Sequence, residues 1–168
     1  MSNPITDIER ALKERLLTID SSTTLAGGYT YYNTVTVVNV EDESVIMDRG
    51  DYPSINIYQQ PEILPESLGN KCTEYTMRFR LLCKCAIDND TEDTPNFAIN
   101  SALNDMLLDI EGCLYDDSSI KCTVDNSKII SASRIPSVKG DKFRVADLEV
   151  YIEAVYSSMD NNPNIRRR

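Results

Sequence analysis

Five cysteines and no histidine frame the chemistry open to this 168-residue chain. Cys72, Cys83, Cys85, Cys113 and Cys122 form no Cys-x-x-Cys pair, and the usual zinc sites draw on such pairs or on imidazoles. A histidine general base is likewise absent. Cys83 and Cys85 fall two apart on the apolar side of an alternating segment, so buried, reduced thiols are expected there, protected until the protein unfolds. From Asp88 to Glu92, oxygen ligands recur at alternate positions, as in the opening of a calcium loop. The sixth position is Asp93 rather than glycine and the twelfth is Ile99 rather than glutamate, so the sharp turn and the bidentate ligand are missing. Gly27-Gly28 is not followed by the lysine and hydroxyl of a phosphate-binding loop. Asp105 and Asp109 lie one helical turn apart with no cation beside them, and both are expected on an exposed face. No catalytic residue, metal site or cofactor is therefore expected, and the chain is not read as an enzyme.

The charged residues with a pattern are on two long segments. In 74–88, Tyr75, Met77, Phe79, Leu81, Cys83, Cys85 and Ile87 share one face. Thr76, Arg78, Arg80, Leu82, Lys84 and Ala86 share the other. A period of two marks a strand buried on one side. Segment 143–156 mirrors it with opposite sign: Ala146, Leu148, Val150, Ile152, Ala154 and Tyr156 oppose Asp147, Glu149, Tyr151 and Glu153. If the two strands pair, Arg78, Arg80 and Lys84 face Asp147, Glu149 and Glu153. The plain interpretation is cross-strand ion pairing on a solvated face, at about 0.2–1 kcal/mol per pair. The functional one is a face that contacts a neighbouring subunit, with charge setting register and orientation. The terminal Arg166-Arg167-Arg168 reads either as a frayed solubilising end or as an arm for a neighbour's acidic surface or passing DNA.

The elements that must position these faces follow from the rest of the pattern. Ile5, Ile8, Leu12, Leu16 and Ile19 predict a helix over 4–19, with its start at an Asn3 cap before Pro4 or at a Thr6/Glu9 capping box. Tyr29 to Val40 is β-rich, Glu41-Asp42-Glu43 is a turn candidate, and Ser44 to Met47 a short returning strand. Tyr52-Pro53 opens a strand through Ile55 and Ile57. Residues 59–73, with two prolines and Gly69, read as a long loop between strands. After the acidic connector from Asp88 to Asp93, Thr94-Pro95 starts a helix whose stripe is Ile99, Leu103, Met106, Leu107, Ile110 and Leu114. A strand over 128–135 turns at Val138-Lys139-Gly140-Asp141 into the acidic strand. The order predicts an α+β fold: an antiparallel sheet with an N-terminal helix and a second helix packed on one face. The chain divides into a single domain over 1–160 and a polar, basic tail over 161–168.

Bulk properties narrow the partners. With 41% hydrophobic residues, a chain of this length can bury roughly 70% of its unfolded surface. No apolar run approaches the roughly 20 residues of a membrane span, so no membrane partner is expected. Met1-Ser2-Asn3-Pro4 lacks the basic start and apolar core of a signal peptide, which leads us to expect assembly inside a cell. A net charge of −10 argues against nucleic-acid binding as the main task.

The order and spacing of these elements resemble the tail terminator, or tail-completion, proteins of long-tailed bacteriophages. The resemblance rests on the amphipathic helix from Ile5, Tyr52-Pro53 leading into Ser54 to Tyr58, and the polar stretch before the alternating strand Tyr75 to Ile87. It continues in the Pro-initiated helix through Leu103 to Leu114 and the hairpin ending in Leu148-Glu149-Val150-Tyr151-Ile152. It implies a structural virion protein without catalytic residues. Such proteins form a hexameric ring on the tail tube, stop its polymerisation and present a surface to the neck or connector. In contractile phages they also touch the sheath. It further implies a location at the neck end of the virion tail, with DNA only in transit through the lumen. Two other readings stay open on the residues alone: a head–tail joining protein of the same virion, and a small cellular binding module. A thiol enzyme centred on Cys83 or Cys85 is a third, and requires a reactive native thiol.

Overall fold

The period-two strands are where the chain commits most of its core. The computed structural model describes residues 4–41, 48–69, 72–88, 95–115, 126–139, 143–159 and 162–166, with side chains over 6–41, 48–69, 72–88, 97–115, 126–135 and 143–157. The Asn3 cap, the strand at 44–47, the acidic connector beyond Asp88, Cys122 and the Gly140-Asp141 turn all lie outside these residues. In chain order the elements are α1 (Pro4–Leu16), β1 (Val37–Val40), a single 3-10 turn (Arg49–Asp51), β2 (Ser54–Gly69), β3 (Cys72–Asp88), α2 (Pro95–Tyr115), β4 (Asn126–Lys139), β5 (Phe143–Met159) and β6 (Asn162–Arg166).

The fold is α+β. The strands lie in the order β1-β2-β3-β5-β4, with β6 on the end of β5. All pairings are antiparallel except β1 with β2, which is parallel, so the sheet is mixed rather than wholly antiparallel. The chain leaves β1 and re-enters beside it as β2, and a return in the same direction makes that pair parallel.

Both helices contribute to one core with the odd-numbered side chains of β3. Met77, Phe79, Leu81 and Cys83 of β3 are buried with Leu148, Val150 and Ile152 of β5, under Leu12 and Leu16 of α1 and Leu103, Met106 and Ile110 of α2. Each large side chain so buried contributes roughly 1.5–3 kcal/mol. Ile8, Leu12 and Leu16 of α1 and Ile99, Leu103, Met106, Ile110 and Leu114 of α2 are buried as expected, and Leu107 is partly buried. The helix expected over 4–19 ends at Leu16, so Ile19 is buried from the segment beyond it, and the Ile5 side chain lies outside the described residues.

Three local expectations are overturned. Residues 59–69 are not a loop: β2 runs on through them and pairs with β3 as far as Gly69 opposite Cys72. Pro61 and Pro65 are tolerated because β2 here is an edge strand, with a partner on one side only among the described residues. Of Tyr29 to Val40, only Val37–Val40 is strand. The preceding stretch is irregular and docks on α2 instead. The end of the chain is not simply frayed, since Asn162–Arg166 pairs back on β5.

The docking of 29–36 depends on Asp109, which is buried rather than exposed. Its Oδ1 accepts from the Tyr29 hydroxyl at 2.7 Å and the Tyr32 amide at 2.9 Å. Its Oδ2 accepts from the Asn33 amide at 2.9 Å and from Asn33 Nδ2 at 2.8 Å. Gly112 makes room for this arrangement, because a Cβ there would sit 3.1 Å from the Tyr29 ring. The carboxylate thus replaces the sheet partner that a strand at Tyr29 to Asn33 would need.

Candidate functional site

The period of two puts the even-numbered residues of β3 on the face away from the helices, and the register sets them against β5. Arg78 is opposite Glu153 and Lys84 is opposite Asp147, while Arg80 is opposite Tyr151 and diagonal to Glu149, two residues along β5. The ion pairs follow from that register. Arg78 Nε donates to Glu153 Oε2 at 3.2 Å, Arg80 reaches Glu149 Oε1 with Nη2 at 2.8 Å, and Lys84 Nζ lies 3.2 Å from Asp147 Oδ2. All six residues singled out on the two strands are therefore brought together as mutual pairs. Arg80 also lies over the Tyr58 ring, 5.1 Å from its centroid.

The sequence did not reveal a fourth cation. Lys128 of β4 lies 3.1 Å from Glu153 Oε1, so one carboxylate serves two cations. The hydrogen bond from Lys128, followed by that from Arg78, holds the Glu153 carboxyl below its usual range against the opposing effect of burial. Lys128 opposes Glu153 across the β4–β5 pair, an alignment that becomes visible only once β4 is known to begin at Asn126.

Two bulges shape this face. Between Gln59 and Ile63, the β2 residues Gln60, Pro61 and Glu62 stand against Arg78 alone on β3. Across the sheet, Ile130 is an extra residue on β4 between Ile129 and Ser131. Extra residues bend a strand and raise its twist. Between the two irregularities lies a trough of about 360 Å3, with Arg78 and Tyr151 on its floor, Gln60 to Glu62 along one wall and Ile130 with Ser131 along the other. Arg78 engages Glu153 through Nε, which leaves its two Nη groups toward other acceptors.

The face is not open throughout. Ser54, Asn56 and Leu82 are buried on it, at the end where β1 joins β2. Ser54 Oγ and Asn56 Oδ1 have no hydrogen-bond partner among the described residues. Towards the other end, the β2 segment from Pro61 to Gly69 is exposed apart from half-buried Ile63. Leu64 lies opposite Thr76 and Glu66 opposite Glu74 on the same side as the ion pairs. The two glutamates face each other directly, and neither is ion-paired among the described residues. The sequence signal for this arm was the Gly69-Asn70 dipeptide, of a type that favours hairpin turns.

The backbone of Arg166 is placed beside Ser158 by β6. Its side chain, and all of Arg167 and Arg168, lie outside the described residues, and the expected role of this basic tail lies there with them. Cys72, Cys83, Cys85 and Cys113 are buried and unbridged. Burial raises the Cys83 thiol well above its ordinary value and pushes Cys85 up to about 12, with Asp147 adding to both. These are poor nucleophiles at neutral pH. Among the described residues no group of three potential ligands is arranged to hold a metal ion, and no described helix is long and apolar enough to cross a membrane.

No protein-family model matches the chain, and no curated protein is significantly similar to it.

Proposed function

We propose that this chain is a structural subunit of a bacteriophage tail, forming a ring that caps the tail tube, ends its polymerisation and joins the tail to the neck. On this reading it is not an enzyme, and it works in the virion after assembly in the host cytoplasm. Its partners are further copies of itself, with the tube protein below, a connector above and no membrane.

The observation that supports this most is the length of the sheet. Strands β2, β3 and β5 have 16, 17 and 17 residues, or roughly 55 Å at about 3.3 Å per residue. The 21-residue α2 spans only about 32 Å. The strands are thus longer than α2, and the sheet presents an exposed β2 arm and a charged face, surface that an isolated domain does not need. A ring subunit does need it, to reach its neighbours and the tube.

The test is to add the purified chain to polymerising tail-tube protein and examine the products by electron microscopy. Shortened tubes with a six-fold ring at one end are expected. Tubes that grow to unrestricted length with bare ends would reject the reading. The trough at Arg78 is the observation that favours a small binding module instead, which predicts a stable monomer with a discrete ligand in that trough.

A further inference from the structure

Helix α2 carries large apolar side chains on its outer side as well as its inner one. Phe97, Leu108 and Tyr115 are exposed at 63%, 43% and 47%, and the helix contains no lysine or arginine. Exposed apolar residues are ordinary when scattered singly, but not when three line up along one helix. Together with Ser101, Asn104 and Glu111 they recur at steps of four, three, four, three and four, the spacing of a seam along which two helices pack. The seam is also symmetric. Phe97 and Tyr115 each lie nine residues from Met106, Ser101 and Glu111 five, and Asn104 and Leu108 two. An antiparallel copy of the same helix therefore matches it position for position, as a two-fold contact between identical surfaces requires.

Charge supports that occupant independently. Strand β4 flanks α2: the Tyr115 hydroxyl accepts from the Ile129 amide at 3.1 Å, and Arg134 donates to Asn100 Oδ1 at 3.3 Å and to Asn104 Oδ1. Arg134 is thus held on the flank of α2 that bears Asn100, Asn104 and Glu111, because residues four and seven apart share a helix side. Glu111 is the one charged residue of the seam, and it lies seven residues beyond Asn104, about 10 Å along the axis at about 1.5 Å per residue. Neither Arg134 nor Glu111 has an ion-pair partner among the described residues. In the antiparallel pair the partner's Glu111 comes level with Ser101, between Asn100 and Asn104 and on the same flank. That is where Arg134 is held.

We propose that α2 docks on the α2 of a second copy, antiparallel about a two-fold axis level with Met106, with Glu111 of each copy paired to Arg134 of the other. Phe97 then meets the partner's Tyr115, and Leu108 the partner's Asn104. The contact uses the helix side of the sheet and leaves the ion-paired face and the β2 arm free, so it does not rest on the ring reading.

The experiment is native mass spectrometry and sedimentation of the full chain across concentration. Wild type is compared with Leu108→Asp, Glu111→Arg, Arg134→Glu and the double variant Glu111→Arg with Arg134→Glu. Circular dichroism verifies that each is folded, as expected for exposed side chains. Wild type is expected to form species with an even number of copies. Leu108→Asp buries two carboxylates in the seam, and each single charge reversal sets like charges together at both ends of the contact, so each is expected to weaken association by about tenfold or more. The double variant restores both pairs and is expected to associate like wild type. So is a 1:1 mixture of the two single reversals, because in their heterodimer both crossings are again opposite in sign.

A wild type that is monomeric at every concentration overturns the proposal, and so do even-numbered species that Leu108→Asp leaves intact. Single reversals that dissociate but fail to recover in the mixture also overturn it, since a general loss of folding or solubility would explain them without any contact between Glu111 and Arg134.

Discussion

Asp109 and Glu153 are both carboxylates that gather several donors, and the difference between them separates what holds the fold from what is free to meet a partner. Asp109 is buried on α2 and accepts four hydrogen bonds, all from a segment 76 to 80 residues earlier in the chain. Glu153 lies on the sheet face between Arg78 and Lys128, whose side chains are 43% and 54% exposed. Remove the first carboxylate and its donors have nowhere to go. Remove the second and its cations turn to water. Charge that water can replace is charge that a neighbouring subunit can also replace, and for that reason the functional reading is placed on the sheet face and not on the more elaborate hub.

The comparison is tested most severely at Asp109. Asp109→Ala strips partners from two amides, a tyrosine hydroxyl and an asparagine side chain, and is expected to lower the unfolding free energy by about 3–5 kcal/mol. Asp109→Asn keeps the shape but turns an NH2 group toward donors, and is expected to lose a large part of the same stability. Urea unfolding monitored by circular dichroism provides the measurement. A loss below about 1 kcal/mol for the alanine variant would mean that the hub is dispensable, and the contrast between the two regions would collapse.

A smaller effect is expected at Glu153. Glu153→Gln removes two ion pairs with partly exposed partners and is expected to cost about 1 kcal/mol at neutral pH. The pH dependence identifies the cause. The Glu153 carboxyl is held below its ordinary value of 4.5 in the folded protein, so its stabilisation is complete above the unfolded value and fades as pH falls through the folded one. The difference between wild type and Glu153→Gln should therefore be constant from pH 7 to about 5.5 and shrink at lower pH. A difference that grows on acidification would point to packing rather than charge.

These two regions were unequally legible in the sequence, for a physical reason. Strand side chains alternate with a period of two, so the faces of β3 and β5 could be read locally, and opposite charge suggested their pairing. Asp109 has donors more than 70 residues away, and nothing within a helical turn announces them. The same limit hid Lys128, whose partner sits on the next strand. The arm at 61–69 has the sequence of a loop because its prolines and Gly69 are turn-forming residues, and only an edge position reconciles Pro61 and Pro65 with a strand. The bulges that make the trough leave no local mark, since an extra residue is defined against its partner strand. Tyr29 to Asn33 has strand-favouring residues, yet a buried carboxylate supplied the hydrogen bonds that a sheet would have supplied.

The smallest expected effect lies at Asp105, which stands between the two regimes. It is half-buried on α2, and desolvation, reinforced by the Asp109 charge, raises its carboxyl above the ordinary value. No cation compensates it among the described residues. A carboxyl with a raised folded value opposes folding when ionised, fully above that value and not at all below the unfolded one. Asp105→Asn is therefore expected to raise stability slightly at pH 7, by no more than about 0.5 kcal/mol, and the gain should vanish as pH falls below about 4. Paired with Asp109→Ala, the gain should shrink further, because part of it comes from the Asp109 charge. If Asp105→Asn instead destabilises, Asp105 belongs with Asp109 as a structural acceptor, and the line between the hub and its surroundings has been drawn one helical turn too tightly.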